Sequence, residues 1–199
     1  MKPAELEKRI NELLEVLHAM VPVSPGFRSD VNSLPTAQLS AAKEVILLPP
    51  AYARYVWYSV DVWLIASLED ENGNDRVIRI YGPGQIFTDS LSFFKAKPSN
   101  LKLTVLTKGT LLSLKRSAII ELKKHQETHE LVTYILLVEQ QVEAWRTRVM
   151  GLHDKDKVAT FAAVYPMNKI PNKYGASFLN MVPANYSREK AAYNARNKD

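Results

Sequence analysis

The 199-residue sequence predicts an α+β fold in which helices flank a small antiparallel β-sandwich or barrel. Three observations predict it. Residues 3–20 have the spacing of an amphipathic helix, residues 44–114 carry short β-like runs between turn residues, and residues 128–152 have the spacing of a long helix with an apolar seam. The length fits one large domain or two small ones, at about 100–200 residues per domain.

The first segment predicts a packing helix from Pro3 to Met20. Its apolar residues share one helical face and its charged residues share the other. The apolar face comprises Leu6, Ile10, Leu13, Leu14 and Leu17. Residues 21–39 are rich in Pro, Ser and Asp, so we expect a connector without regular structure there.

Six short runs rich in β-branched or aromatic residues predict the strands. The runs are residues 45–48, 55–59, 62–68, 77–81, 101–106 and 110–114. Asn72-Gly73 lies between two of them and provides the positive φ angles of a tight hairpin. Residues 117–125 predict a short helix that leads into the long one.

The long helix predicted for residues 128–152 has apolar residues that alternate at spacings of four and three. This pattern predicts a homodimer interface formed by Leu131, Ile135, Val138, Val142, Trp145 and Val149. Tyr134, Leu136 and Leu137 widen the stripe enough to cover the preceding domain as well. The alternative is an ordinary core helix of a single globular domain.

Residues 153–199 predict two short helices joined by a tight turn, after a helix at residues 154–165. Pro171 and Pro183 each favour a helix start, and Asn180 favours a break because Asn tolerates the left-handed conformation. Two short helices joined in this way have the outline of a helix-turn-helix. We expect residues 197–199 to be frayed.

Charge and composition narrow the function classes. Residues 153–199 hold 8 Lys/Arg against 4 Asp/Glu, and the remaining residues hold 18 against 17, so the net charge of +5 is concentrated in the C-terminal quarter. A basic segment suits an anionic partner, most simply nucleic acid. The absence of cysteine excludes disulfides, thiolate zinc sites and cysteine-ligated iron–sulfur clusters. No apolar run is long enough for a membrane span and no signal peptide is evident, which predicts a cytoplasmic protein without a membrane partner.

Several segments, taken together with the order of the elements, carry a family resemblance. They are Val77–Tyr81, Gly84–Asp89, Ser92–Phe94, Lys97–Ser99, Leu111–Leu114, and Lys173–Leu179 followed by Pro183–Arg188. Over about residues 42–196 the chain resembles the Crp/Fnr superfamily of bacterial transcriptional regulators, in the branch common in Bacteroidetes. The resemblance implies a sensor of residues 1–127, a dimerisation helix of residues 128–152 and a DNA-binding domain of residues 153–199. It also implies a cyclic-nucleotide-binding-like β-roll (jelly roll) and a winged-helix/helix-turn-helix.

The resemblance implies that double-stranded DNA is the partner of the C-terminal domain. Ser187 and Arg188 match the start of the recognition helix, where Arg188 is expected to pair with a guanine edge. The expected DNA-binding residues are Lys173, Asn185, Ser187, Arg188, Lys190 and Arg196. Glu189, Asn180 and Lys190 depart from the family pattern, so the alternative is a dimeric ligand-binding or protein-interaction module that no longer binds DNA.

The resemblance also implies an effector pocket in the β-roll. Its expected residues are Phe87, Thr88, Asp89, Ser90, Ser99 and Asn100. Ser99 and Asn100 lie where cyclic AMP-binding members have an arginine, and a buried phosphate needs a paired cation. We therefore expect no cyclic AMP binding; the pocket holds another small molecule or is filled by its own side chains.

Other chemistry lacks support in the sequence. His125 and His129 have an i, i+4 spacing that suits zinc, but no third ligand is evident and Glu127 is displaced from the position that a metalloprotease needs. No Ser/His/Asp set stands out. We expect neither a catalytic site nor a metal or other resident cofactor.

Overall fold

Residues 2–197 are described by the computed structural model, and they form eight helices and eight strands. The helices are α1 (Pro3–Met20), α2 (Pro25–Asn32), α3 (Ser90–Lys95), α4 (Arg116–Leu122), α5 (Gln126–Met150), α6 (Asp154–Ala162), α7 (Asn172–Phe178) and α8 (Pro183–Arg196). The strands are β1 (Thr36–Ser40), β2 (Val45–Leu47), β3 (Tyr55–Ser59), β4 (Leu64–Glu69), β5 (Asp75–Tyr81), β6 (Ile86–Phe87), β7 (Lys102–Val105) and β8 (Gly109–Lys115). The predicted frayed end lies, from residue 198 onwards, outside the described residues.

The N-terminal helix has the predicted bounds. Pro3 occupies its first turn, where a missing N–H costs nothing, and Ile10, Leu13, Leu14 and Leu17 are buried on one face. Each of these aliphatic side chains contributes about 1.5–3 kcal/mol when it is removed from water. The helix therefore anchors the N-terminus to the sheet beneath it.

The expectation of an unstructured connector at residues 21–39 is wrong. Ser24 caps α2 by accepting a hydrogen bond from Phe27 N, Pro25 starts the helix, and Phe27 and Val31 are buried one turn apart. β1 follows and pairs antiparallel with β8, Thr36 opposite Ser113. A short capped helix and an edge strand fit within a segment whose Pro and Ser content suggested only loop.

Two four-stranded antiparallel sheets form the predicted sandwich. Sheet A has the order β1-β8-β3-β6 and sheet B has the order β2-β7-β4-β5. All six predicted strands are present with bounds shifted by up to two residues. Gly73 in the β4–β5 loop has φ of 77°, as the hairpin prediction requires. Asp70 also orders this loop, because its side chain accepts hydrogen bonds from the backbone N–H groups of Asn72 and Asn74.

Three apolar cores hold these layers together. The first lies between sheet A and α1, α2, α4 and the start of α5; the second fills the space between the sheets; the third joins sheet B and the end of α5 to α6, α7 and α8. The third core matters for function because it fixes the C-terminal helices against the sandwich.

The winged part of the expected C-terminal domain is not found. Within residues 153–197 the structure has three helices and no strand, so no β-hairpin accompanies the helix pair there. Physically, Pro183 and the alanine-rich residues that follow favour continuous helix, with no run of β-branched residues that could form a hairpin.

Candidate functional site

The C-terminal helix pair is the first candidate site. α7 ends at Phe178, and Asn180 adopts φ of 52° in the connecting turn. The N–H of Met181 returns to the carbonyl of Ala176, which satisfies an otherwise unpaired helix-end group. Pro183 then starts α8. These positions agree with the predicted break and helix start.

The predicted DNA-binding residues divide into an exposed set and a bound set. Lys173, Arg188 and Arg196 are exposed, although Lys173 lies over the ring of Tyr174 and Arg188 Nε is 3.2 Å from Glu189 Oε1. The positive charge of Arg188 is therefore largely balanced nearby by the carboxylate of Glu189.

The bound set is engaged within the protein. Lys190 Nζ donates to the Met167 carbonyl at 2.8 Å and to Asn172 Oδ1 at 2.9 Å, and burial lowers its pKa. Ser187 Oγ accepts from Asn172 Nδ2 at 3.1 Å, while Asn185 Nδ2 donates to Asp154 at 3.4 Å. These residues fix the geometry of the helix pair, so they are less available to phosphate than Arg188 is.

Helix α7 lies directly on β5, a contact that the sequence did not reveal. Ser177 Oγ donates to the Asp75 carbonyl at 3.2 Å and accepts from Val77 N at 2.9 Å. β5 is the edge strand of sheet B, so this serine satisfies backbone groups that a further strand would otherwise pair.

Arg146 joins α5, β5 and α7 at one point. Its side chain is buried, with 4% of the residue exposed; Nε donates to the Phe178 carbonyl at 3.1 Å and Nη2 donates to the Val77 carbonyl at 3.2 Å. The guanidinium also lies 5.1 Å from the Phe178 ring centroid. Burial lowers the pKa of Arg146. Charge-assisted hydrogen bonds of this kind hold the helix pair against the sandwich.

Aromatic side chains fill the remainder of the third core. Phe161, Tyr165, Phe178 and Trp145 contact one another with ring centroids 5.0–6.4 Å apart. Burial raises the pKa of Tyr165 to about 12. The sequence showed these aromatic residues but not that they meet at a single junction.

The predicted effector pocket is engaged by internal hydrogen bonds. Asp89 caps α3 by accepting from Ser92 N at 3.1 Å, and its other oxygen accepts from Ser99 Oγ at 2.6 Å. Thr88 donates its hydroxyl to the Tyr55 carbonyl. Ser90 begins α3, and Asn100 is exposed. The polar groups expected to hold a ligand instead fix the loop around α3.

Phe87 takes part in filling the space between the sheets. It stacks on Tyr81 at 4.8 Å and lies 5.9 Å from Trp57, both measured between ring centroids. Phe87, Tyr81 and Trp57 are all buried, as is Phe93. These four rings fill that part of the space between the sheets, while Phe87, Thr88 and Ser90 also line an apolar cavity on the α5 side of sheet A.

The predicted interface residues on α5 do not share one exposed face. Leu131 and Val149 are buried in the first and third cores, and Trp145 contacts Tyr165. Ile135 and Val142 are half-buried, and Val138 is 38% exposed. Leu131 and Val149 are buried because the two ends of α5 pack on different cores of the same protomer.

The apolar residues assigned to the preceding domain are the exposed ones. Tyr134 is 41% exposed, Leu136 41% and Leu137 51%. Tyr134, Leu137 and Val138 lie on one side of the middle of α5, a surface that we call the α5 patch, whereas Leu136 lies about 100° or more away from them around the helix. The residues predicted to cover the preceding domain are therefore exposed in the protomer, and the homodimer interface stays a prediction.

The two histidines singled out in the sequence have protein partners. His125 Nε2 lies 2.7 Å from Asp30 Oδ2, and His129 Nε2 lies 3.3 Å from the Lys123 carbonyl. The described residues contain no group of three or more side chains placed to bind a metal ion. Among them, no helix combines the length and apolar character that crossing a bilayer requires.

Comparison with known proteins supports the fold. No protein-family model matches the sequence, and no curated protein is significantly similar to it. The structure is similar to FixK2 from Bradyrhizobium japonicum, with a TM-score of 0.70 and 15% identity over 82% of this chain and 86% of that chain.

Two further structures have comparable similarity. The c-di-GMP responsive global regulator CLP of Xanthomonas campestris has a TM-score of 0.66 and 11% identity, over 87% of this chain and 93% of that chain. A cyclic nucleotide-binding domain containing protein from Listeria monocytogenes has a TM-score of 0.64 and 12% identity, over 93% and 91%. At these identities the similarity shows a shared fold with cyclic-nucleotide-binding domains.

Proposed function

We propose that this protein is a cytoplasmic, homodimeric DNA-binding transcription regulator of the Crp/Fnr type, and not an enzyme. The observation that carries the proposal is the exposed Arg188 in the first turns of α8, at the end of a basic helix pair joined by a left-handed turn at Asn180. Solved structures that share the fold include regulators such as FixK2 and CLP. We also propose that the protein belongs to the branch of this superfamily that is common in Bacteroidetes.

Arg188 is the proposed base-reading residue. Its side chain is 67% exposed and near the N-terminal end of α8, which is the end that a recognition helix presents to the major groove. A planar guanidinium matches the O6 and N7 acceptors of guanine. Glu189 is its present partner, so DNA binding exchanges this ion pair for hydrogen bonds to the guanine edge. Lys173 and Arg196 are proposed to contact phosphate.

The α5 patch is the proposed contact with a second copy of the chain. Exposed Tyr134, Leu137 and Val138 lie within a turn of one another on a 25-residue helix, and two-fold pairing buries them. Such pairing places two α8 helices on one duplex, and successive major grooves are about 34 Å apart. Ile135 and Val142 border this surface, whereas Leu131 and Val149 contribute only to the protomer core.

A second candidate is a dimeric ligand-binding or protein-interaction module that does not bind DNA. The bonds that engage Lys190 and the pairing of Arg188 with Glu189 favour it, because they reduce the positive charge available at α8. In both candidates the space between the sheets is proposed not to accept cyclic AMP, since Asp89 and Ser99 bond to each other.

Binding of a fluorescent random-sequence duplex at two salt concentrations separates the candidates. For a regulator, affinity falls steeply with salt, because each neutralised phosphate releases counterions, and Arg188→Ala weakens binding. Lys8→Ala, which removes an exposed cation from α1, is the matched control and leaves binding unchanged. Absence of salt-dependent binding by the native chain favours the second candidate.

A further inference from the structure

An apolar cavity of about 100 Å³ lies beneath the N-terminal half of α5, on the side of sheet A that faces the helices, and Phe87, Thr88 and Ser90 of the expected effector pocket contribute to its lining. Helices α1, α2, α4 and α5 close it from one side, and strands β3, β6 and β8 close it from the other. Leu13, Val31, Val56, Leu114, Ile119 and Val132 contribute aliphatic walls. Close-packed interiors leave few voids larger than a water molecule, so a cavity of this size is unusual.

The lining excludes charged ligands. Within the described residues, no lysine, arginine or histidine lines the cavity, and the carboxylate of Glu139, its single charged group, is paired with Arg79. The hydroxyl of Thr128 donates to the Leu122 carbonyl, and that of Thr88 donates to the Tyr55 carbonyl. An anionic ligand therefore finds no cation, and burying an unpaired charge is costly.

The cavity has an opening that a small molecule can use. Phe94 and Leu136 line it, and they are 37% and 41% exposed, so the wall reaches the surface between α3 and α5. Leu136 lies on α5, next in sequence to Leu137 of the α5 patch. A molecule in the cavity thus contacts the helix that carries the proposed interface.

We propose that this cavity is a binding site for a small, neutral, apolar molecule, such as a single aromatic ring or a short alkyl chain. Apolar cavities of comparable size, about 150 Å³, stay free of water and bind benzene or xenon. Dispersion contacts with the aliphatic walls provide the attraction, because an empty cavity leaves its lining atoms without partners on one side. This binding does not depend on whether α8 contacts DNA.

Thermal unfolding of the full chain with toluene, with benzoate and with neither probe tests the proposal. Toluene is expected to raise Tm in a concentration-dependent way, because a ligand that binds only the native state stabilises it. Benzoate has the same ring with a charge, and no shift is expected. A toluene response that is absent up to its solubility, or equal to the benzoate response, contradicts the proposal.

A cavity-filling variant locates the site. Val132→Phe places a larger side chain in the cavity and is expected to abolish the toluene shift, whereas Val164→Phe, at an exposed position away from the cavity, is expected to retain it. A full shift in folded Val132→Phe places the ligand elsewhere and overturns the assignment.

If Val132→Phe does not fold, methyl NMR of the unmodified chain locates the bound toluene instead. Toluene is expected to shift the methyl signals of Val31, Val56, Ile119 and Val132 most strongly. Shifts spread over surface methyl groups contradict the site. Because no step involves DNA, failure of toluene binding is distinguishable from failure of the proposed regulatory function.

Discussion

The two ends of α5 pack against cores of different character. The N-terminal end lies over an aliphatic core that contains a cavity, and Lys124 and His125, just before the helix, contact Asp30 of α2. The C-terminal end lies in an aromatic core, where the buried guanidinium of Arg146 donates to two backbone carbonyls. The two ends therefore have different roles. The C-terminal end holds α7 and α8 against the sandwich, and the N-terminal end borders a cavity with room for a ligand.

Removal of an aromatic ring from the third core is expected to have the largest effect. Phe178→Ala should lower the free energy of unfolding by about 3–5 kcal/mol, because it leaves a cavity among Phe161, Tyr165 and Trp145. Urea denaturation measures it. Phe94→Ala, at a 37% exposed ring, is the control and should cost much less; equal losses would remove the proposed difference between the two cores.

Replacement of the buried arginine ranks second. Arg146→Met retains the length of the side chain but leaves the Phe178 and Val77 carbonyls without their donors, which should cost about 2–4 kcal/mol. The exposed Arg148→Met should change stability by less than about 0.5 kcal/mol. Urea unfolding curves of the two variants should differ clearly, and coincident curves would show that Arg146 does not hold α7 in place.

A small gain in stability is expected from Tyr186→Phe. The Tyr186 hydroxyl is buried and, among the described residues, has no hydrogen-bond partner, so its removal relieves a desolvation cost of up to about 1 kcal/mol. Burial raises the pKa of Tyr186 to about 12, consistent with this environment. Thermal unfolding measures the change, and a loss of stability would reveal a partner for the hydroxyl.

The smallest effect concerns pH at the N-terminal end of α5. Asp30 accepts from Lys124 Nζ and from His125, each at 2.7 Å, and these partners lower the pKa of Asp30. A lowered native pKa means that the carboxylate stabilises the fold above about pH 4 and loses this effect as the pH falls through its native pKa.

Asp30→Asn removes that dependence. The difference in Tm between the native chain and Asp30→Asn should therefore narrow between pH 7 and pH 3. A difference that stays constant over this range would show that the ionisation of Asp30 does not contribute. The effect is small because Asp30 is partly exposed to solvent, which screens its charge.

Local signals in the sequence predicted most of the elements. The apolar period of α1, the Asn72-Gly73 turn, the left-handed Asn180 and the proline at the start of α8 are all properties of neighbouring residues. α2 was missed because one turn buried by Phe27 and Val31 is too short to show a period.

Long-range contacts were beyond the reach of the sequence. The docking of Arg146 on Phe178 and Val77 joins positions 32 and 69 residues apart, and nothing local marks it. Asp89 and Ser99 were predicted to be near each other, but not to satisfy each other. The burial of Leu131 and Val149 within the protomer was missed for the same reason, because it depends on which cores the helix ends meet.

The mass of the native protein in solution tests the central claim most directly. If the α5 patch joins two copies, light scattering coupled to size exclusion should give twice the 22.5 kDa chain mass, Leu137→Glu should give the single-chain mass, and Leu48→Glu, at a 58% exposed position on the sandwich, should remain dimeric. A mass of 22.5 kDa for the unmodified chain at the concentrations used for DNA binding would contradict a regulator that presents two helices to one duplex.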